Sequence, residues 1–213
     1  MENYTYFVDL YKRSKELLDQ LPIELTPQPL DYTLNKLMPA INNVQHEATN
    51  SFMAMAATPH TLPDNKSAQG LNTIGMLTDR FTILLIREWC LRNKGNKNEA
   101  KADQLFNTQT TEIMKAMAEA KQGYSSLNSK VTNIKADAKA DSWEAAYYGL
   151  LTTNLLLWES QEVLYIKDIQ SLPVEEIRDY IKWFSFGNIL RNEYIELCEL
   201  RYWDSFIKTA QSL

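Results

Sequence analysis

The chain is poor in the residues that break regular structure: six glycines and seven prolines among 213 residues. That scarcity argues against a turn-rich β sandwich and against a disordered, low-complexity chain, both of which need far more. The two cysteines, Cys90 and Cys198, fall within helical patterns and read as small core or boundary residues. His46 and His60 have no second histidine or cysteine at ligand spacing, which argues against zinc. His46-Glu47 also lacks the Glu-x-x-His pairs of a ferritin-like site. There is no run of basic residues, and the net charge is −5, so the overall field offers nothing to nucleic acid. The opening MENYTYFVDLYKRSKELL puts acids where a secretory signal needs a basic and then an apolar segment. The apolar run around Leu150–Leu157 is interrupted by Thr152, Thr153 and Asn154. It falls short of the ~20 residues that cross a bilayer. Neither a glycine-rich phosphate loop nor a Ser/His/Asp set is present. The expectation is a soluble cytoplasmic protein that partners neither nucleic acid nor membrane.

What the chain does have is helical periodicity over most of its length, with 45% hydrophobic residues, enough for one full-sized core. The spacing predicts helices over about 4–21, 31–57, 71–93, 99–122, 136–171 and 173–210. Asp31 stands at an N-cap position, Gly123 at a C-cap, and Pro173 in a first turn followed by Glu175 and Glu176. TPHTLPDNKSAQG, with two prolines and a glycine, is the clearest loop. The fold class predicted is all-α: a single-domain, antiparallel bundle of about six helices spanning 1–213. Within it, 1–70 supply N-terminal helices and a loop, 71–123 a first helix pair and 136–211 a second.

The two pairs echo each other. GMLTDRFTILLIREWCL from Gly75 and GLLTTNLLLWESQEVLY from Gly149 share G-[ML]-L-T and place Glu88 and Glu162 thirteen residues after the glycine. The helices that follow put Asn107 and Asn188 five positions before Glu112 and Glu193. Duplication of a helix pair would explain the spacing, and so would chance similarity between leucine-rich helices.

On a 3,4 pattern, Ile74, Leu77, Phe81, Leu84 and Glu88 share one face. Tyr148, Leu151, Leu155, Trp158 and Glu162 share another, and Val174, Ile177, Ile181, Phe184, Asn188, Arg191, Ile195 and Cys198 a third. Charged groups on core stripes should find one another, because an unpaired buried charge costs several kcal/mol, of order 3–5. The expectation is a polar cluster of Glu88, Glu162, Asn188 and Arg191, with Arg80 and Asn154 at its edge. It reads as an ion-pair network that fixes helix register, as a pocket for an anionic ligand held by Arg191, or, if the stripe drifts, as groups solvated at helix ends.

TNLLLWESQEVLY followed by NILRNEYIELCE is similar to N-x-x-LW-x-x-[ED]-[ED] and N-x-x-RN-x-LIE, the motifs of an all-helical bacterial family of unknown function. The matching positions are Asn154, Leu157, Trp158, Glu162, Asn188, Arg191, Asn192, Ile195 and Glu196, over about fifty residues of the second half. Gln161 stands where that family has an acid. LTDRFTILLI resembles the DRLSILxLK signature of related helical families. The resemblance implies an all-helical fold and no defined activity.

Two classes of function remain. The first is a non-catalytic bacterial interaction or accessory protein, with a protein partner or self-association and no cofactor. The aromatic stretch Tyr180–Asn188, spread around its helix, fits that class. The second is an enzyme or binder for an anionic, nucleotide-like or phosphorylated small molecule. Its sharpest version takes Glu159, Glu162, Glu176 and Asp179 as an ExxE…ExxD set holding Mg²⁺, as in all-α nucleoside triphosphate pyrophosphohydrolases. Against it, Glu176 and Asp179 flank Ile177 on a Pro-initiated first turn, where the dipole alone favours acids.

Overall fold

The computed structural model describes residues 2–21, 72–120, 136–166 and 171–211, and side chains over 4–21, 72–120, 136–161 and 171–204. Among them every regular element is helical, and none is a strand. Helix α1 is Glu2–Gln20 and α2 is Ile74–Asn93. Helix α3 joins Glu99–Leu105 to Thr111–Ala118 through a π turn at Phe106–Thr110, α4 is Trp143–Ile166 and α5 is Val174–Gln211. The helix expected over 31–57 lies outside the described residues.

Local chemistry sets most boundaries. Thr73 caps α2, its hydroxyl accepting from the Met76 amide, and Asn98 caps α3 in the same way through Lys101. Ser142 accepts from Ala145 at the start of α4. That start falls seven residues after the expected one at Ala136, because the preceding stretch is bound elsewhere. Both oxygens of Glu193 on α5 take its amides, Ala136 at 2.7 Å and Ala138 at 2.8 Å. Asp137 between them has φ 58°, outside the helical region. Arg201 Nε donates to the Ala140 carbonyl at 2.8 Å. Hydroxyls in and just after the π turn compete for the helix ladder: Thr108 donates to the Gln104 carbonyl and Thr111 to that of Asn107.

Helix α2 is the central element, touching all four other helices. It is buried nearly all round, with Ile74, Leu77, Phe81, Leu85 and Trp89 on its apolar sides. Helices α4 and α5 pack extensively on each other. Gly149 lies under the Tyr194 ring and Gly187 under Leu157, so the numbering rises along one helix as it falls along the other and the two are antiparallel. Helix α5 crosses α2 in the same sense, with Gly75 against the Ile195 carbonyl and the Glu199 side chain. A β-carbon at Gly75 would stand inside that carbonyl oxygen, so this crossing needs glycine.

The core is aromatic where α1, α2, α4 and α5 meet. Trp143 packs edge-on to Tyr202 at 5.1 Å between ring centres, Phe7 stacks on Tyr202 at 6.3 Å, and Tyr147 leans on Phe81 at 6.2 Å. The first turns of α5 depart from the expected stripe. Val174 and Ile181 are exposed, whereas Tyr180 and Gly187 face inward, because the contact of Gly187 with Leu157 sets the helix rotation there.

Candidate functional site

The polar junction forms on the second buried stripe of α2: Gly75, Asp79, Thr82 and Ile86. Asp79, 5% exposed, receives Arg191 from α5 in a two-pronged contact, Nε to Oδ1 at 2.8 Å and Nη2 to Oδ2 at 2.5 Å. Asn154 from α4 donates its amide to Asp79 Oδ1 at 3.0 Å and to Thr82 Oγ1 at 2.8 Å. The Thr82 hydroxyl in turn donates to the Asp79 carbonyl at 2.8 Å. Three helices therefore share one carboxylate. Bidentate pairing to guanidinium is the strongest neutralisation a buried carboxylate finds, and the planar fork fixes direction as well as distance.

One turn away, Glu199 of α5 closes the N-terminus of α2. The Gly75 amide donates to its Oε2 at 2.8 Å and Trp203 Nε1 to its Oε1 at 2.9 Å. Gly75 is the second residue of α2, so its N–H is one that the helix leaves without an acceptor. A carboxylate there also meets the positive end of the helix dipole. The buried Cys198 thiol is pushed well above its usual value by burial, then by the charges of Asp79 and Glu199.

Glu88 is buried at 2% exposure, but away from this junction. It lies nine residues beyond Asp79 on α2, about 13 Å along the axis and about half a turn around it. The structure therefore joins Arg191 to Asp79 and not to Glu88, correcting the expected pairing. Glu88 Oε1 accepts from Tyr11 at 2.7 Å and from Arg92 Nη2 at 3.1 Å and Nε at 3.3 Å. Arg92 also reaches Asp103 on α3 at 2.7 Å. Glu88 Oε2 has no hydrogen-bond partner among the described residues.

Of the other expected residues, Asn154 is in the junction, while Asn188 is half-buried and donates to the Phe184 carbonyl of its own helix at 2.9 Å. Arg80 is half-buried beside Asp79 in sequence. Glu162 belongs to α4, but its side chain lies outside the described ones. Glu159 is ion-paired with Lys94, and no three His, Cys, Asp or Glu side chains gather around a common point among the described residues.

A fourth buried acid stands at the start of α4. Glu144 is fully buried, its Oε1 3.5 Å from the Tyr6 hydroxyl and its Oε2 without a hydrogen-bond partner among the described residues. Trp143 Nε1 donates to that same Tyr6 hydroxyl at 2.7 Å. Burial pushes the Glu144 carboxyl up to about 8; its own backbone N–H, Arg13 and Tyr6 pull the other way and lose.

Sequence reasoning missed Asp79, Thr82, Glu199 and Tyr11. The signal for the first two was present: a helix hydrophobic on every side has more than one inward stripe, and Asp79 and Thr82 follow Gly75 at i+4 and i+7. Glu199 and Tyr11 carried no such signal, since each is defined by its partner on another helix.

Fold and site together define an all-helical class in which acid, amide and guanidinium groups meet where three helices cross. No protein family, no curated protein and no solved structure matches the chain.

Proposed function

We propose that this is a non-catalytic interaction or accessory protein of a bacterial cytoplasm, and that its polar junction sets helix register. The observation that carries this reading is the closure of the junction. Asp79 accepts on both oxygens, and the Asn154 amide group bonds Asp79 and Thr82 at once. A carboxylate occupied in this way is poorly placed to act on a substrate, whereas a single satisfied arrangement discriminates against slipped packings. Val174 and Ile181, exposed at 56% and 63% two turns apart on one face of α5, suit a protein partner or a second copy. No helix among the described residues is long and apolar enough to cross a membrane.

The reading includes a single domain, descent by duplication of a helix pair, and kinship with the helical family that its second half resembles. Supporting the duplication, Gly75 and Gly149 both lie against α5, and Thr78 and Thr152, matched in the two repeats, each bond the carbonyl four residues back.

The test is a thermal-shift screen of nucleotides and phosphorylated metabolites, with and without Mg²⁺, run beside light scattering. The expectation is no stabilisation by any anion and no release of pyrophosphate. A triphosphate that raises the Tm with Mg²⁺ and fails to do so in Arg191→Met would replace this reading with an anion-binding or pyrophosphohydrolase one.

A further inference from the structure

Over its first turns α5 buries Tyr180 and Gly187 and leaves the opposite face in solvent, where Val174, Glu175, Arg178, Asp179, Ile181 and Lys182 are all exposed. Successive residues stand about 100° apart around a helix, and that step orders the face. Arg178 lies at its centre. Val174, Ile181 and the half-buried Ile177 fall about 40–100° to one side of it, and Lys182, Glu175 and Asp179 fall about 40–100° to the other. The face thus has an apolar edge and a charged edge, with a guanidinium between them. Large apolar side chains grouped in solvent and bordered by charge mark an interaction surface. Among the described residues, no ion pair within the chain engages Glu175, Arg178, Asp179 or Lys182, so a partner can use all four without breaking an internal contact.

The order of the charges selects the partner. Glu175, Arg178, Asp179 and Lys182 run acid, base, acid, base, and in reverse they run base, acid, base, acid. Laid antiparallel on itself, the face sets Glu175 against Lys182 and Arg178 against Asp179, and each contact occurs twice. A parallel copy would set like against like. A two-fold axis perpendicular to two antiparallel helices also brings each edge of the face against the same edge of the copy. The apolar edge therefore meets itself, with Ile177 beside the second copy's Ile181 and Val174 covered at either end. We infer that this face is a self-association surface, on which α5 packs antiparallel against α5 of a second copy about an axis beside Arg178 and Asp179. Val174 to Lys182 cover only about 12 Å of helix axis, so the buried area falls below the ~1,200 Å² of a standard interface. The dimer is accordingly weak, with a Kd on the order of 100 µM. The inference rests on the interaction reading above and names its partner.

Sedimentation equilibrium of the full chain from about 10 µM to about 1 mM tests it, and should show a monomer–dimer equilibrium in that range. Ile181→Glu places an acid on the apolar edge and should weaken the dimer at least about tenfold. Glu175→Lys and Lys182→Glu, each folded by circular dichroism, should each stay monomeric, because each variant opposes like charges twice. Mixed in equal amounts, those two variants should associate about as tightly as the unsubstituted chain, since every opposed pair is again of opposite sign. A chain that sediments as a monomer at about 1 mM would overturn the inference and leave the face to a different partner. A dimer that Ile181→Glu leaves intact would overturn it too, as would a mixture of the two charge variants that stays monomeric. The interaction reading is tested separately by the anion screen, so a monomer that binds no anion removes this inference alone.

Discussion

Replacing Glu144 by glutamine should remove a pH dependence that the wild-type fold cannot avoid. The carboxyl is fully buried and is pushed from an ordinary value of 4.5 up to about 8, first by burial. The groups opposing that shift are its own backbone N–H, Arg13 on α1, and the Tyr6 hydroxyl. Between those two pH values the folded chain keeps a proton that the unfolded chain has released. The folded state thus binds more protons, and stability falls as pH rises through this window. The destabilisation is absent below about 4.5 and complete above about 8. At ~1.36 kcal/mol per pH decade the full displacement corresponds to about 5 kcal/mol, of which about 3 falls between pH 6 and pH 9. Glutamine has nearly the same shape and no proton to lose. Urea melts of both proteins at pH 6, 7, 8 and 9 should give stabilities that diverge by about 2–3 kcal/mol in favour of the variant as pH rises. Parallel curves, diverging by less than about 0.5 kcal/mol, would mean that water or a nearby cation already solvates this carboxylate, and the argument from burial would fail.

Three further outcomes follow from the helix crossings. Arg191→Met leaves Asp79 charged and buried, and should cost about 3 kcal/mol in denaturant melts, the low end for a broken buried pair because the arginine side chain is 29% exposed. A double-mutant cycle with Asp79→Asn should show coupling well above the ~1 kcal/mol of a surface pair; a smaller value would place the junction effectively in solvent. Gly75→Ala gains about 1 kcal/mol of helix propensity but drives a methyl into the Ile195 carbonyl, so a net loss of about 1–3 kcal/mol is expected, checked by thermal melting. Tyr11→Phe removes the shortest donor to Glu88 and should lower stability by about 1–2 kcal/mol in the same melts.

Helix existence was legible because apolar spacing is a local property of the chain. Helix α1 was expected over 4–21 and is Glu2–Gln20, and α2 was expected to end at Asn93 and does. The starts that missed are those decided from a distance. Ala136 to Ala140 has alanine-rich helical propensity, yet Glu193 and Arg201 bind its backbone in a non-helical shape. At the junction, Arg191 was recognisable as a core-facing cation in need of a carboxylate. Its partner is not legible from one stripe of α2, because Asp79 and Glu88 lie on opposite sides of that helix. Glu144 carries no signal in the sequence, since an acid in a first turn is ordinary and the aromatic wall around it comes from other helices.

The grip of Glu193 on the Ala136 and Ala138 amides spans 57 and 55 residues of chain. Those two N–H groups belong to the stretch just before α4, yet the group that shields them sits midway along another element. Their exchange with deuterated water should therefore follow the opening of α5 and not the fraying of their own neighbourhood. A pair of connector amides would then act as a clock for the loosening of a helix they do not belong to.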